Sequence, residues 1–461
     1  MKIRNSFFLA ILAVLTLACN NDDINLLSPN DGEQGYLVLT LETPSSLRTT
    51  GTPKEDGLDS ESEINSLTVA LTDELGIVSA VLKPSISNGV TEKFKVALGQ
   101  HYVYAIVNNN SVVINLNDNI HQVIEVASAT DATSGYKGGS FLMVNQRNSS
   151  SENAGFQTTL TAINTEKNPM KIQIKVDRVA CKIEYTETTP NVGALSTNTG
   201  SFINGVEVEG FALLNVNKQF NLVQTWSKNN VNGITLESEV LETPIYSGSI
   251  TDQFFHNISE YTTLVQGDGG KITSITDNTA GQMDLYKKAP VYTTENRPTI
   301  MRFGENGDIT AGRGETTGVI YKVQAKNNDE NLGTFYRYKG KIYSDLTSIG
   351  EENTELSTDD LGLEIPELRT LGIDVYENGI MYYTYFVRDP NAAHQYDDKN
   401  YYGVFRNSVY KLAIESISAL GDDVPGGGIV DPNTPIDVTD AYLEVSISIN
   451  PWVLNNINIE F

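Results

Sequence analysis

The chain is poor in cysteine, histidine and positive charge, and each scarcity removes a class of function. Its 461 residues hold two cysteines, Cys19 and Cys181, so if Cys19 is used elsewhere no disulfide staples the body. The four histidines, His101, His121, His256 and His394, lack ligand spacing such as H-x3-H, so no metal is expected. Lysine and arginine number 32 against 58 acidic residues, a net charge of −26 at pH 7. That balance argues against nucleic acid, because neutralising phosphates needs clustered cations. Long apolar runs are missing too. The twelve residues Phe7–Ala18 are too few to cross a bilayer as a helix, which needs about 20, and no other segment spans one. There is no G-x-S-x-G elbow, H-E-x-x-H pair, Walker loop or calcium loop of EF-hand type. Gly267–Lys271 and Gly426–Gly428 lack the strand–loop–helix setting of a phosphate cradle and read as turns. In so acidic a chain, paired carboxylates single out no glycosidase site. The expectation is a protein without catalytic residues, metal or cofactor.

What the N-terminus does contain is a basic start at Lys2 and Arg4, the short apolar run and then Cys19, a secretory signal over residues 1–18. Leu17-Ala18-Cys19 resembles a bacterial lipobox, with Thr16 where leucine is usual. The resemblance implies that Cys19 is lipidated, palmitate included, and that residues 19–35 tether an outer-membrane lipoprotein. An ordinary secreted protein with a free cysteine is the alternative. Tyr36–Leu41 then alternates, with Leu37, Leu39 and Leu41 on one face, as a strand does. Residues 42–63 hold almost nothing apolar and are expected as an exposed loop, with Arg48 its single arginine and Lys54 its single lysine.

From Ile64 onward short alternating runs succeed one another: Leu67–Leu71, Val78–Leu82, Phe94–Leu98, Tyr102–Ile106, Phe156–Ala162 and Met170–Tyr185. Further strands are expected at Gly205–Asn215, Pro290–Thr294, Gly318–Ala325, Thr334–Lys339, Ile373–Arg388 and Val404–Ile417, with polar connections such as 350–360 between them. Residues 117–127 and 132–146 read as places for short helical pieces. Five Asn-Gly pairs punctuate the pattern, and both residue types tolerate positive φ in hairpin turns. No long 3.6-residue period is present. The pattern implies an all-β fold of two β-sandwich domains, over residues 36–166 and 167–420, divided at the polar break 164–170. Cys181, in a strand-like run, reads as a small buried hydrophobe. Tyr382, Tyr383, Tyr385, Tyr401 and Tyr402 read either as cross-strand packing or as a carbohydrate-stacking platform.

Residues 421–440 are a Pro/Gly/Asp linker, expected to detach the terminal stretch from the body. That stretch, 441–461, alternates Leu443, Val445, Ile447, Ile449, Val453, Ile457, Ile459 and Phe461 against a mostly polar face, divided by Pro451. Either it is a core strand of its own domain or it fills a groove belonging to something else.

Several stretches together resemble the fimbrillins (type V pilins) of the Bacteroidales, in particular the minor-fimbrium shaft-subunit branch. They are Val375–Tyr383, Tyr401–Tyr410, Ile414–Ile417 with Leu420-Gly421, the linker, and Leu443–Trp452. Upstream, Tyr292–Asn296 looks like the family's strand-end motif, and Arg178–Ile183 like its R-x-x-A-K strand, interrupted here by Cys181. The resemblance implies two transthyretin-like Greek-key sandwiches and a lipoprotein precursor. It also implies a cut by an arginine-specific trypsin-like protease between Arg48 and Thr49, loss of strand 36–41, and filling of the vacated groove by residues 441–461 of another subunit. The implied partners are copies of the chain, accessory fimbrial subunits and host or bacterial surfaces in adhesion and biofilm. A fimbrial anchor subunit and a surface glycan-binding lipoprotein of a nutrient-uptake system are the alternatives.

Overall fold

A computed structural model describes residues 33–42, 55–56, 61 and most of 63–453; the longer stretches outside the description are 1–32, 43–54, 127–135, 147–154, 244–287, 390–400, 426–433, 437–442 and 454–461. The expected all-β fold is met. Alternating apolar residues become strands whose inward faces meet over two main apolar clusters.

The strands that define the first half are β1 (Gln34–Glu42), β2 (Glu55–Asp56), β3 (Leu67–Thr72), β4 (Val78–Leu82), β5 (Val90–Thr91), β6 (Phe94–Ala97), β7 (Gly99–Val107), β8 (Met143–Asn145), β9 (Phe156–Leu160) and β10 (Met170–Arg178). All but β2 share one sheet, in the order β4-β3-β7-β8-β10-β1-β5, with β9 on β7 and β6 on β1. The core beneath it gathers Leu37, Leu39, Leu41, Val69, Leu71, Val103, Val107, Ile172, Ile174 and Val176. The Asn88-Gly89 turn before β5 takes positive φ at both residues, as its sequence predicts.

The second half is built on β11 (Ala180–Tyr185), β12 (Gly205–Leu214), β13 (Val291–Thr294), β14 (Gly318–Asn327), β15 (Ile380–Phe386), β16 (Ser408–Ile417) and β17 (Leu443–Val453). One sheet runs β2-β17-β16-β11-β13; the other places β14 between β12 and β15. Both contribute to one core, with Cys181, Ile183, Tyr410, Leu412 and Ile414 from the first and Phe211, Leu213, Val319, Tyr321, Met381 and Tyr383 from the second. The buried Cys181 thiol donates to the Thr293 carbonyl at 3.3 Å, and burial pushes its pKa well up, so it packs as a small hydrophobe.

Three expectations change. The run Met170–Tyr185 is two strands: β10 pairs with β1 and β8, whereas β11 pairs with β13 and β16. The chain therefore passes from one sheet to the other at Val179, nine residues beyond the polar break at 164–170, because inward-facing Ile172, Ile174 and Val176 belong to the first core. The expected strand Ile373–Arg388 breaks at Asn378-Gly379, again with positive φ, into Ile373–Tyr376 and β15. A Cβ at Gly379 would meet the Gln324 amide and the Leu332 backbone. Finally, the polar stretch 350–360 lies among three short helices, α1 (Leu346–Glu352), α2 (Thr358–Leu361) and α3 (Ile365–Thr370). Their caps explain them: the Asp345 carboxylate accepts from the Ser348 amide, and Ser357 and Asp360 form a capping box. Each buries too few residues, Ile349 from α1 and Leu368 from α3, to leave a helical period in the sequence. Of the two places read as helical pieces, the first holds a 3-10 turn at Ile120–Gln122; the described part of 132–146 is short strands.

Candidate functional site

Three features make up the candidate site: the seat of β1, a buried polar joint, and the seat of the terminal strand β17.

Although it comes from the N-terminal end, β1 is an interior strand. On one side it runs parallel to β10, from Leu37 opposite Met170 to Glu42 opposite Lys175. On the other it pairs antiparallel with β6, from Gln34 opposite Ala97 to Leu37 opposite Phe94, and touches β5 at Thr40. The Leu39 amide donates to Thr91 Oγ1 at 2.9 Å, and the Leu41 amide to the Gly89 carbonyl at 2.8 Å. Leu37 and Leu39 are fully buried and Leu41 is 2% exposed. At about 1.5–3 kcal/mol per buried leucine, their gross contribution is roughly 5–9 kcal/mol. Taking β1 away would leave two unpaired ladder edges facing each other across an apolar slot.

The joint lies where β10 ends. Arg178, fully buried, donates from Nε to the Glu61 carbonyl at 2.9 Å and from Nη1 to Asn407 Oδ1 at 3.4 Å. The Glu61 carboxylate is 3.1 Å from Lys182 Nζ and accepts a short hydrogen bond from the Tyr292 hydroxyl. Burial opposes the Lys182 charge, but Glu184 and Glu61 outweigh it and hold its pKa above the ordinary value. Burial pulls the Arg178 pKa down to about 10 against the attraction of Glu61 and Asp177. Beside this group Arg406 makes a two-pronged pair with Glu295 and donates to the carbonyls of Leu222, at 2.9 Å, and Asn221, at 2.7 Å. The amides of Gln146 and Asn407 donate to Asp177 Oδ1 at 3.1 and 3.0 Å; burial pushes that carboxyl up to about 7, with Gln146 and the two arginines opposing. The R-x-x-A-K stretch, the Tyr292–Asn296 motif and Arg406-Asn407 therefore converge on one charged seam between the two cores. The sequence pattern puts Glu61 in an exposed loop; it is instead 1% exposed, and nothing sets it apart among 58 acidic residues.

The terminal strand β17 lies on its own body. It pairs antiparallel with β16 from Leu443 opposite Ile417 to Pro451 opposite Ser408, with Ile447 opposite Leu412, Ile449 opposite Tyr410 and one bulge near Ile414. Val445 reaches the second core and is 9% exposed. Past Pro451 the partner changes: Trp452 and Val453 run parallel to Glu55 and Asp56 of β2. The linker residues that the structure describes, 421–425 and 434–436, are fastened to the body. Asp422 and Tyr382 exchange backbone hydrogen bonds of 2.8 Å, Asp423 pairs with Arg369 at 2.6 Å, and the Arg313 amide donates to the Thr434 carbonyl at 2.9 Å. Gly421 permits this, since a Cβ there would strike the Tyr382 carbonyl.

Cys19, Arg48, Thr49, Ile457, Ile459 and Phe461 lie outside the described residues. The tyrosine platform is corrected: Tyr382, Tyr383, Tyr385, Tyr401 and Tyr402 are all at most 9% exposed, so their rings pack the second half and offer no stacking surface to a glycan. Tyr383, for example, donates to the Ala419 carbonyl at 2.9 Å.

Residues 374–458 match the family model described as major fimbrial subunit protein type IV, fimbrillin, C-terminal. This range takes in β15, β16, the linker and β17, and with them the C-terminal stretches that carry the sequence resemblance, but not Tyr292–Asn296 or Arg178–Ile183. No curated protein gives a significant match. Among solved structures, the chain is similar to a fimbrilin from Porphyromonas gingivalis W83, at 13% identity over 91% of this chain and 98% of that one, TM-score 0.45. It is also similar to the tip fimbrial protein Mfa3 of P. gingivalis, at 14% identity over 91% and 100%, TM-score 0.38. A third is a fimbrial assembly protein from Parabacteroides distasonis ATCC 8503, at 9% identity over 83% and 91%, TM-score 0.30.

Proposed function

We propose that this chain, whose residues 374–458 match the fimbrillin C-terminal region, is a structural shaft subunit of a cell-surface fimbrium. In this reading it is exported as a lipoprotein through Cys19, cut between Arg48 and Thr49 by an arginine-specific trypsin-like protease, and polymerised by donation of its terminal strand, in the service of adhesion and biofilm. Its work is mechanical and needs no catalytic residue or cofactor.

The observation that carries the reading is the position of β1. Loss of an edge strand bares one ladder edge, and loss of an interior strand bares two. An interior strand holding Leu37, Leu39 and Leu41 in the core cannot leave without being replaced. The terminal stretch 441–461 has the matching alternation, with Leu443, Val445, Ile447, Ile449, Val453, Ile457, Ile459 and Phe461 in step. Inserted from a neighbour, it restores both ladders while its apolar residues take the leucine seats. Slot and tail occupy different places on each subunit, so the contact is heterologous and does not close on itself; it builds a filament from copies of the chain, with accessory fimbrial subunits ending or anchoring it.

N-terminal sequencing of protein taken from assembled fibres tests this directly and should read from Thr49. Fibres whose subunits still begin at lipidated Cys19 would overturn it. Removal of 441–461 should leave a folded monomer that forms no SDS-resistant ladder.

A further inference from the structure

The seat of β1 discriminates among the strands that could fill it by direction, by width and by pattern. Direction comes from the amides. Those of Leu39 and Leu41 point to Thr91 Oγ1 and the Gly89 carbonyl, at 2.9 and 2.8 Å, whereas the Tyr36 amide points the other way, to the Asn164 carbonyl at 2.8 Å. Residues whose side chains enter the core thus turn their amides toward β5 and β6. A strand laid in the opposite direction with the same face inward turns them toward β10. The Thr91 hydroxyl sits at a bulge. Leu37 faces Phe94 and Thr40 faces Val90, three positions on one strand against four on the other. There the Glu92 amide turns away to the Ser85 carbonyl, and the buried Thr91 hydroxyl, in place of a backbone carbonyl, receives the Leu39 amide. Proline has no N–H to give at any of the three leucine seats.

Width is set at Gly35, which is buried on the same face as the three leucines. A Cβ there would lie 3.2 Å from the Asn164 carbonyl oxygen and from side-chain carbons of Leu98 and Leu160, so only the smallest side chain enters, with a slight shift of its neighbours. Sliding the terminal stretch along the seat with its apolar face inward leaves one register. Ile449, Pro451 or Val453 on the Leu39 seat puts Pro451 on a leucine seat, and Asn455 or Ile457 puts Asn455 on one. Ile447, Ile459 or Phe461 there puts Leu443, Asn455 or Ile457 on Gly35. Leu443 there puts Thr439 on Gly35 and leaves only Ala441 for the Leu37 seat. With Val445 on the Leu39 seat, Ala441 falls on Gly35, and Leu443 and Ile447 take the places of Leu37 and Leu41. The two stretches then read alike: Gly35-Tyr36-Leu37-Val38-Leu39-Thr40-Leu41-Glu42 against Ala441-Tyr442-Leu443-Glu444-Val445-Ser446-Ile447-Ser448. Small, tyrosine, aliphatic and hydroxyl side chains each fall on their like, and only Val38 and Glu42 have unlike counterparts. Val38 lies opposite Lys171 of β10, so Glu444 would arrive beside a lysine.

We propose that residues 441–448 of one subunit replace residues 35–42 of the next, position for position and in the same direction, with Gly35's narrow seat and the Thr91 hydroxyl fixing the register. The inference rests on the strand-donation reading above. The test uses the full-length protein with Lys171→Cys combined in turn with Tyr442→Cys, Glu444→Cys or Ser446→Cys, cut by an arginine-specific protease and allowed to polymerise under mild oxidation. Facing residues on neighbouring strands lie roughly 5 Å apart, within disulfide reach, and residues two positions along roughly 8 Å, beyond it. Heated non-reducing gels should therefore show a covalent ladder that forms about ten times faster through Glu444→Cys than through either neighbour. Before cutting, Glu444 pairs with Ser416 of its own subunit, and no ladder should form. Ala441→Leu, which adds no cysteine, should slow polymer growth about ten-fold in light scattering while the cutting rate is unchanged. Polymer that cross-links best through Tyr442→Cys or Ser446→Cys, or through none of the three, overturns the register, as does Ala441→Leu growing at the wild-type rate. Absence of polymer from the cut wild type refutes strand donation itself.

Discussion

Leu39→Ala is the substitution that separates a removable strand from an ordinary core strand. Leu39 is fully buried in β1, opposite Ile172 of β10 and with its amide on Thr91 Oγ1 of β5. Truncating a leucine so enclosed removes its transfer energy and leaves a cavity, a loss of about 2–5 kcal/mol. The cores of the two halves are separate clusters, so the loss should fall on unfolding of the first half. At roughly 2–4 °C per kcal/mol for a domain of this size, the corresponding transition should drop by about 4–20 °C in calorimetry. The second transition, carried by the core around Tyr321 and Leu412, should stay in place. On the proposed function, residue 39 leaves with the cut segment, so fibres from variant and wild type should melt alike. A loss below about 1 kcal/mol in the uncut protein would mean that β1 is not packed as described. A loss that persists in the fibre would mean that β1 is never removed.

The joint and the linker give three more tests. Arg406→Met strands the Glu295 carboxylate and two backbone carbonyls and should destabilise by about 3–5 kcal/mol in chemical denaturation, with part of the loss recovered on adding Glu295→Leu. Gly421→Ala forces the linker away from Tyr382 and should lower stability by about 1–3 kcal/mol, with faster hydrogen exchange over 443–453. Burial pushes the Asp422 carboxyl up to about 6, with Arg313 opposing and Asp423 adding to it. The folded state then binds the proton more tightly than the unfolded one. Its contribution falls as pH rises from about 4 to about 6 and stays lost above that. Asp422→Asn should therefore gain melting temperature over wild type at pH 8 and lose that advantage at pH 4.

Much of the fold was readable because its signals are local. Period-two alternation located β3, β7, β12, β14 and β16, and Asn-Gly pairs marked turns at 88–89 and 378–379. The helices α1 to α3 escaped because four to seven residues with at most one buried side chain give no period, and only local signals announced them: the caps at Asp345 and Ser357 and the Glu364/Glu367 capping box with Pro366. In the candidate site, the alternation of Leu37, Leu39 and Leu41 was plain, whereas the strands they lie between were not. The tyrosines were visible, but whether they face water or core was not.

What the sequence determined alone is the all-β character, the face of each strand, and the presence at either end of an apolar strand set off by polar spacers. These come from a side-chain period that any extended chain must obey. Tertiary structure alone decided that β1 is interior, that the chain crosses between sheets at Val179, that Glu61 is buried in the joint, and that β17 rests on β16 with its end against β2. Each depends on which distant segments become neighbours. A ladder partner or a buried counter-ion is a property of two places in the chain at once, and no single stretch of sequence carries it.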